Sequence, residues 1–329
     1  MSNFSILIKG VGYYLPKHVL TNDDLSKMVE TSDEWIRTRT GISERHIAAK
    51  DEACSDIAFH AAKRALEDAQ LQPTDIDLLI VATVTPDMLF PSTAAILQAK
   101  LGLNNVMAFD LNAACSGFLY VLEVARSLLQ QKSYRRALVV GSEKLSSIVN
   151  WKDRSTCVLF GDGSGAFVLE KSETNEGGIL DGFFGADGSN PEVLCLPAGG
   201  SLRPTSQETL EAHMHSISMN GKEVFKMAVR LMAKSVNTLL ERNHLTKDDI
   251  NCLIPHQANL RIIQSLSQLL DMPMDRVFIN LDKTGNTSAA SIPMAFAQAK
   301  ESGTIKKGDY VMLVAFGGGL TWGAILIKF

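Results

Sequence analysis

A cysteine, a histidine and an asparagine, each standing where an apolar run gives way to the next element, are the residues whose types and placement could do chemistry. Cys115 follows a short strand-like run, residues 106–111, and precedes Phe118, Leu122, Ala125 and Leu129 at helical spacing. A thiol on the first turn of a buried helix faces unpaired backbone N–H groups and the positive end of the helix dipole. Both favour thiolate, so the pKa is expected to fall well below the free value of about 8.5. Cysteines are often plain packing residues, but Ala113, Ala114, Ser116 and Gly117 leave room for something to approach this sulfur. His256 leaves another apolar run, residues 251–254, and Asn286 stands in the small-residue stretch before a further helix. Taken singly, a histidine is often structural and a Gly-Asn pair often a cap. Three polar groups at three apolar strand ends could deliver a thiol, an imidazole and a carboxamide to one place.

The elements that must position them recur twice. Residues 53–69 and 224–242 read as helices, each leading through a polar turn into a buried strand, residues 78–82 and 251–254. Each strand is followed by a helix (91–101 and 260–270), a further strand (106–111 and 277–281) and a helix that opens with small residues. Strands at 136–141 and 310–315, then at 165–170 and 323–328, close the two units. This is an internal duplication of about 150 residues, too long for a solenoid repeat. Helices alternating with continuous apolar strands predict an α/β protein with mixed or parallel sheets covered by helices. Two such units would bury helices between two sheets, and a pseudo-twofold would bring both small-residue helix starts to one cavity. The break falls in the polar stretch 171–178, dividing the chain into halves 1–172 and 173–329. Residues 197–216 read as a surface excursion.

Composition narrows the classes. The chain has 329 residues, 46% hydrophobic and 21% charged, with a net charge of −4. Those values suit a globular protein and lack the basic footprint of a nucleic-acid binder. No apolar stretch reaches the ~18 residues of a membrane span. Residues 1–5 lack a signal-peptide layout. Five cysteines without paired spacing argue for a reducing compartment and against a zinc site. A cytoplasmic protein is expected, with no membrane and no nucleic-acid partner. GDGSG at 161–165 lies between an apolar strand-like piece and a strand, so it reads as a tight turn rather than a phosphate loop, which must open a helix.

AACSGF around Cys115, PHQANLRI around His256 and GNTSAASIP around Asn286 resemble the Cys-His-Asn set of the thiolase-fold condensing enzymes. The resemblance is strongest to the β-ketoacyl-[acyl-carrier-protein] synthase III family. It extends through TSDEWIRTRTGI at 31–42, FGDGSGA at 160–166 and AFGGGLTWG at 315–323, and so spans essentially the whole chain in order. Thiolases would have a second catalytic Cys and elongating synthases a second His; Asn286 favours the initiating synthase. The resemblance implies a five-layer αβαβα fold of two pseudo-duplicated halves. It implies decarboxylative Claisen condensation of an acyl-CoA primer, acetyl-CoA in the first instance, with malonyl-acyl carrier protein.

In that chemistry Cys115 carries the acyl group as a thioester, splitting one difficult transfer into two easier ones. The Cys115 backbone N–H and that of Gly318 form the oxyanion hole. His256 and Asn286 stabilise the enolate formed when malonyl thioester loses CO2; His256 is not needed as a base if the helix dipole activates the thiol. No metal or redox cofactor is required. The resemblance places Trp35, Arg39, Thr40, Arg154, Phe160, Gly221, Phe225, Ala258, Asn259 and Phe316 along the CoA tunnel, with Trp35 able to stack adenine. Ser155 and Lys222 depart from the family pattern beside Arg154 and Gly221. Phe90 matches a position that shortens the acyl pocket, reached across a homodimer interface, and branched or longer primers are the alternative. Lys226, Arg230 and Arg261 could receive an acidic carrier protein. A cysteine hydrolase would share Cys and His but gain from a third, orienting carboxylate. A non-catalytic scaffold of the same fold would be expected to lose one of the three.

Overall fold

A computed structural model describes residues 4–174 and 177–329. Residues 1–3, on which the signal-peptide reading begins, and 175–176, inside the 171–178 break, lie outside the described residues.

Two sheets carry the fold. In the first, Ser5–Tyr14, Gly163–Ser172, Arg136–Glu143, Leu78–Ala82 and Met107–Leu111 lie side by side in that order. Leu78–Ala82 is parallel to both its neighbours, and the two pairings at the Ser5–Tyr14 edge are antiparallel. The second sheet repeats the order with Gly178–Ala186, Thr321–Lys328, Tyr310–Gly317 and Cys252–Pro255.

The fifth place of the second sheet corrects the expectation of a strand at 277–281. Only Val277 pairs there, in a single parallel bridge to Leu253, and the chain turns into a short helix at Leu281–Thr284. The next ladder bond to the Phe278 carbonyl would come from the N–H at position 255, and Pro255 has no N–H to give. The Gln257 carboxamide donates to the Phe278 carbonyl (3.1 Å) and accepts from the Asn280 N–H (3.2 Å), taking the hydrogen bonds a neighbouring strand would have taken.

Side-chain alternation sorts the layers. Along Leu78–Ala82, Leu78, Ile80 and Ala82 face a core built on the helices Gly117–Leu129 and Ser291–Glu301, which lie between the sheets. Phe118, Phe167, Phe296 and Phe329 run through this layer in successive ring contacts of 4.9, 4.8 and 5.2 Å. Leu79 and Val81 face the opposite way, onto the helices Cys54–Ala69 and Thr93–Leu101. Met312 and Val314 of the second sheet likewise face Gly221–Arg242 and Leu260–Leu269. The result is the five-layer αβαβα arrangement. No described helix is long and apolar enough to cross a membrane.

Two further expectations meet the structure. Residues 197–216 do form an excursion, with Leu202 89% exposed and one short helix at Gln207–Glu211. The piece before GDGSG is not strand-like: it is the short helix Arg154–Cys157 followed by a single bridge from Phe160 to Asn286. The loop is a buried turn nonetheless. Asp162 accepts from the Ala48 and Ser146 N–H groups, 2.8 Å each, and from the Ser146 hydroxyl at 2.6 Å.

Candidate active site

The strand Met107–Leu111 ends at Asn112, and the chain then makes one 3-10 turn, Ala114–Ser116, before the helix begins at Gly117. Cys115 therefore stands just ahead of the helix rather than on its first turn. Ala114 is held at φ +46°, a left-handed conformation costly for a residue with a Cβ. The Asn112 side chain supports it by accepting from the Ala114 N–H at 3.1 Å. The second sheet pins the turn from the other side. The Thr321 hydroxyl donates to the Ala113 carbonyl (2.8 Å), and the Ser116 hydroxyl donates to the Thr321 carbonyl (3.1 Å). A Cβ on Gly317 would fall 2.6 Å from the Cys115 nitrogen, so only glycine lets the Gly317–Gly319 turn approach the Cys115 backbone.

His256 follows Pro255 at the end of its strand, its N–H donating to the Val314 carbonyl at 2.8 Å. Its Nδ1 lies 2.6 Å from the Ser291 hydroxyl, at the start of the central helix Ser291–Glu301. Burial pushes the imidazole down to about 4, so it is neutral at pH 7.

Asn286 is held by its backbone. Its N–H donates to the Leu159 carbonyl at 2.8 Å and its carbonyl accepts from the Gly161 N–H at 3.0 Å. Its side-chain oxygen accepts from the Ser288 N–H at 2.9 Å, which directs the NH2 the other way. Gly141 makes the approach of this segment possible, since a Cβ there would lie 2.5 Å from the Ala289 carbonyl oxygen.

Cys115, His256 and Asn286 line one cavity of about 500 Å3. Its wall is largely apolar, with Leu194, Ile217, Met219, Val224 and Met232 among the lining residues. Gly318 lines it too. The expected acid shift of the thiol is not found. Cys115 is half-buried as a residue and lines the cavity, and burial pushes the thiol up to about 11. The buried Glu143 carboxyl adds to that push, while the Ser288 hydroxyl and the residue's own backbone N–H oppose it. Desolvation outweighs those two hydrogen bonds.

Of the residues placed along the tunnel, Phe160, Gly221, Phe225, Ala258, Asn259 and Phe316 line this cavity. Trp35, Arg39 and Arg154 stand outside its wall, next to it: the Asn259 side chain donates to the Arg39 carbonyl at 3.1 Å. The guanidinium carbons of Arg39 and Arg154 lie 5.5 and 4.9 Å from the Trp35 ring centre. Thr40 is turned inward, its hydroxyl donating to the Ile36 carbonyl (2.7 Å) and accepting from the Ile42 N–H (3.0 Å). Phe90 does not line its own chain's cavity and is 84% exposed. Lys226, Arg230 and Arg261 are exposed on the two helices that also supply Phe225 and Ile262 to the cavity. Among the described residues no cluster of three or more His, Cys, Asp or Glu could hold a metal ion.

Sequence reasoning missed four residues. Ser288 and Ser291 lay unremarked inside the GNTSAASIP motif. Glu143 and Arg45 are fully buried charges, and a charge at the end of an apolar strand is the signal that could have drawn notice to Glu143. The Arg45 guanidinium donates to the Leu20 carbonyl (3.1 Å), the Asn22 side-chain oxygen (2.9 Å) and the Val158 carbonyl (2.9 Å). It thereby ties the first 50 residues to the loop that grips Asn286.

Known proteins share this sequence and architecture. The family model described as 3-oxoacyl-[acyl-carrier-protein] synthase III matches residues 109–188, and the one for its C-terminal part matches residues 240–329. A β-ketoacyl-[acyl-carrier-protein] synthase III from Caldanaerobacter subterraneus is 56% identical over 321 residues, covering 98% of this chain and 97% of its own. One from Clostridioides difficile is 51% identical over the same span. The crystal structure of the Aquifex aeolicus 3-oxoacyl-[acyl-carrier-protein] synthase III superposes with a TM-score of 0.91 at 48% identity, covering 98% of this chain and 100% of that one. With its two sheets sharing one strand order and the Cys, His and Asn motifs meeting in one cavity, this chain belongs to the β-ketoacyl-[acyl-carrier-protein] synthase III family of condensing acyltransferases.

Proposed function

We propose that this protein condenses an acyl-CoA primer, acetyl-CoA in the first instance, with malonyl-acyl carrier protein, and so starts fatty-acid chains through an acyl-Cys115 intermediate. The observation that carries this reading is one largely apolar cavity lined by a thiol, a neutral imidazole and a carboxamide. Cys115 attacks the primer thioester, and the Cys115 and Gly318 N–H groups receive the oxyanion. CoA leaves, and malonyl thioester enters the same cavity. As CO2 departs, charge develops on the thioester oxygen. The Ser291 hydroxyl, which also receives the Gln257 N–H at 3.4 Å, turns its proton to His256 Nδ1, leaving Nε2–H as a donor. Asn286 offers its NH2. Two neutral donors in a largely apolar site stabilise the enolate without being consumed, and its carbon then attacks acyl-Cys115. An imidazole held near 4 is a poor base, which supports the stabilising role.

The remaining assignments belong to the same reading. Trp35, flanked by Arg39 and Arg154 beside the cavity, stacks adenine and holds phosphates. Thr40 shapes this end of the helix rather than meeting the nucleotide. No cofactor takes part. Lys226, Arg230 and Arg261 receive the acidic carrier protein, whose phosphopantetheine arm enters past Phe225. Met88, Leu89 and Phe90 are 50%, 87% and 84% exposed, an apolar cluster suited to a homodimer interface where Phe90 shortens the partner's acyl pocket. The two halves, 1–172 with the nucleophile and 173–329 with His256 and Asn286, act as one unit in the cytoplasm.

Incubation with acetyl-CoA followed by intact mass measurement tests the reading. An acetyl adduct on Cys115 is expected, whereas free acetate without adduct would indicate a hydrolase. His256→Ala and Asn286→Ala should still acylate but lose malonyl decarboxylation; condensation at the parent rate in either variant refutes the stabilising roles of these two residues. A panel of acyl-CoA primers fixes the primer length.

A further inference from the structure

Asn286 reaches the cavity on a segment gripped by the loop before it in space, and a fully buried cation stands behind that loop. Arg45 lies on the strand Glu44–Ile47. The two ends of its guanidinium hold different parts of the chain. One nitrogen donates to the Leu20 carbonyl (3.1 Å) and the Asn22 side-chain oxygen (2.9 Å), the other to the Val158 carbonyl (2.9 Å). None of these acceptors is a carboxylate, so the arrangement gives up the Coulomb energy that usually offsets burying a charge. A planar fork on fixed acceptors sets direction as well as distance.

That direction is passed to Asn286 through backbone. Val158 precedes Leu159, whose carbonyl accepts the Asn286 N–H at 2.8 Å, and the Gly161 N–H donates to the Asn286 carbonyl at 3.0 Å. The stem of Arg45 touches both flanks of this clamp: a Cβ on Gly161 would fall 3.0 Å from the Arg45 Cβ, and one on Gly285 3.1 Å from it. Its neighbours lace the same two segments, since the Asp162 N–H donates to the His46 carbonyl and the Ser43 N–H to the Asp282 carbonyl, 2.8 Å each. The Asn286 side-chain oxygen is fixed on the Ser288 N–H, so its NH2 turns with the backbone of this segment. Cys115 and His256 are held from elsewhere, by Asn112 and Thr321 and by Val314 and Ser291. The helix bearing Trp35 and Arg39 keeps its own tie, because the Asn22 side-chain NH2 donates to Asp33 and to the Ile42 carbonyl, 2.8 Å each.

We propose that Arg45 is a positioning residue for Asn286: it sets the aim of the carboxamide at the malonyl thioester oxygen and leaves acyl transfer to Cys115 untouched. This rests on the function proposed above. Arg45 itself never meets substrate. Its loss lets the 158–161 loop move, and a donor displaced by about 1 Å can cost a factor of about 100 in rate.

Timing the two half-reactions separately tests this, at a temperature where circular dichroism shows every variant folded. Saturating acetyl-CoA acylates Cys115, read by intact mass. The acetylated enzyme, cleared of CoA, then receives malonyl-acyl carrier protein labelled in its free carboxyl, and labelled CO2 is followed. Arg45→Met should acylate within about 2-fold of the parent rate. It should release CO2 about 10- to 100-fold more slowly. Asn286→Ala sets the floor, and adding Arg45→Met to it should slow CO2 release no further. Arg45→Lys keeps the charge without the fork and should show the same pattern with a smaller loss; it carries the comparison if Arg45→Met does not fold. The proposal is overturned if acylation and CO2 release fall together, if CO2 release keeps the parent rate, or if the two substitutions multiply in the double variant. If the parent forms no adduct on Cys115, or Asn286→Ala releases CO2 at the parent rate, the proposed function fails instead.

Discussion

His256 and Glu143 make opposed contributions to the pH dependence of stability, and replacing either should unmask the other. Burial holds His256 at about 4 against 6.5 for the free group. Between those values the unfolded chain binds a proton that the folded chain refuses, so stability from this residue falls as pH drops from 6.5 to 4. Burial lifts Glu143 from 4.5 to about 7. There the folded chain keeps a proton that the unfolded chain has released, so stability from this residue falls as pH rises from 4.5 to 7. Each displacement is worth about 3 kcal/mol across its window, and the two slopes oppose each other between pH 4.5 and 6.5. Relative to the parent, Glu143→Gln should therefore gain about 3 kcal/mol on going from pH 4.5 to 7. His256→Gln should gain about 3 kcal/mol on going from pH 6.5 to 4. At roughly 2 cal/mol/K of unfolding entropy per residue, a chain of this length shifts its Tm by about 4 °C for that energy. Calorimetric Tm values at fixed protein concentration and ionic strength provide the measurement, and the difference from the parent cancels every other titration. A Glu143→Gln offset that stays constant to within ~1 °C from pH 4.5 to 7.5 would refute the reasoning.

Two further outcomes are expected. Gly317→Ala places a methyl 2.6 Å from the Cys115 nitrogen and should displace the N–H proposed as an oxyanion donor, slowing Cys115 acylation by about 100-fold; an unchanged rate of adduct formation would show that the turn is not part of the site. Arg45→Met strips donors from the Leu20 and Val158 carbonyls and the Asn22 side chain. At 1–3 kcal/mol for each of the three stranded groups, a loss of about 3 kcal/mol or more in denaturant titration is expected, and a loss below ~1 kcal/mol would show that the loop beside Asn286 holds itself.

Much of the molecule was legible in one dimension, for reasons particular to its elements. Strand alternation and helical spacing are local properties, so the runs at 78–82, 106–111 and 310–315 became strands within a residue or two. The three site residues were legible because each sits at a break in such a run, where a polar side chain has no local packing role. Residues 277–281 failed as a strand because Pro255, more than 20 positions away, has no N–H to continue the ladder, and the Gln257 side chain bonds this segment instead. Motif likeness named Thr40 as a tunnel residue, yet its hydroxyl is engaged by its own helix end.

By itself, then, the sequence determined the duplicated α/β layers, the family, and Cys115, His256 and Asn286 as the groups at the strand ends. Only the tertiary structure decided the state of those groups. The thiol rises to about 11 and the imidazole falls to about 4 because desolvation depends on which distant segments close around them. The turn that presents Cys115 is pinned by Thr321, about 200 residues away, on the other half of the chain. Spacing along a chain specifies which face a residue takes. The dielectric it meets and the partner behind it are set by packing between segments that no local pattern relates.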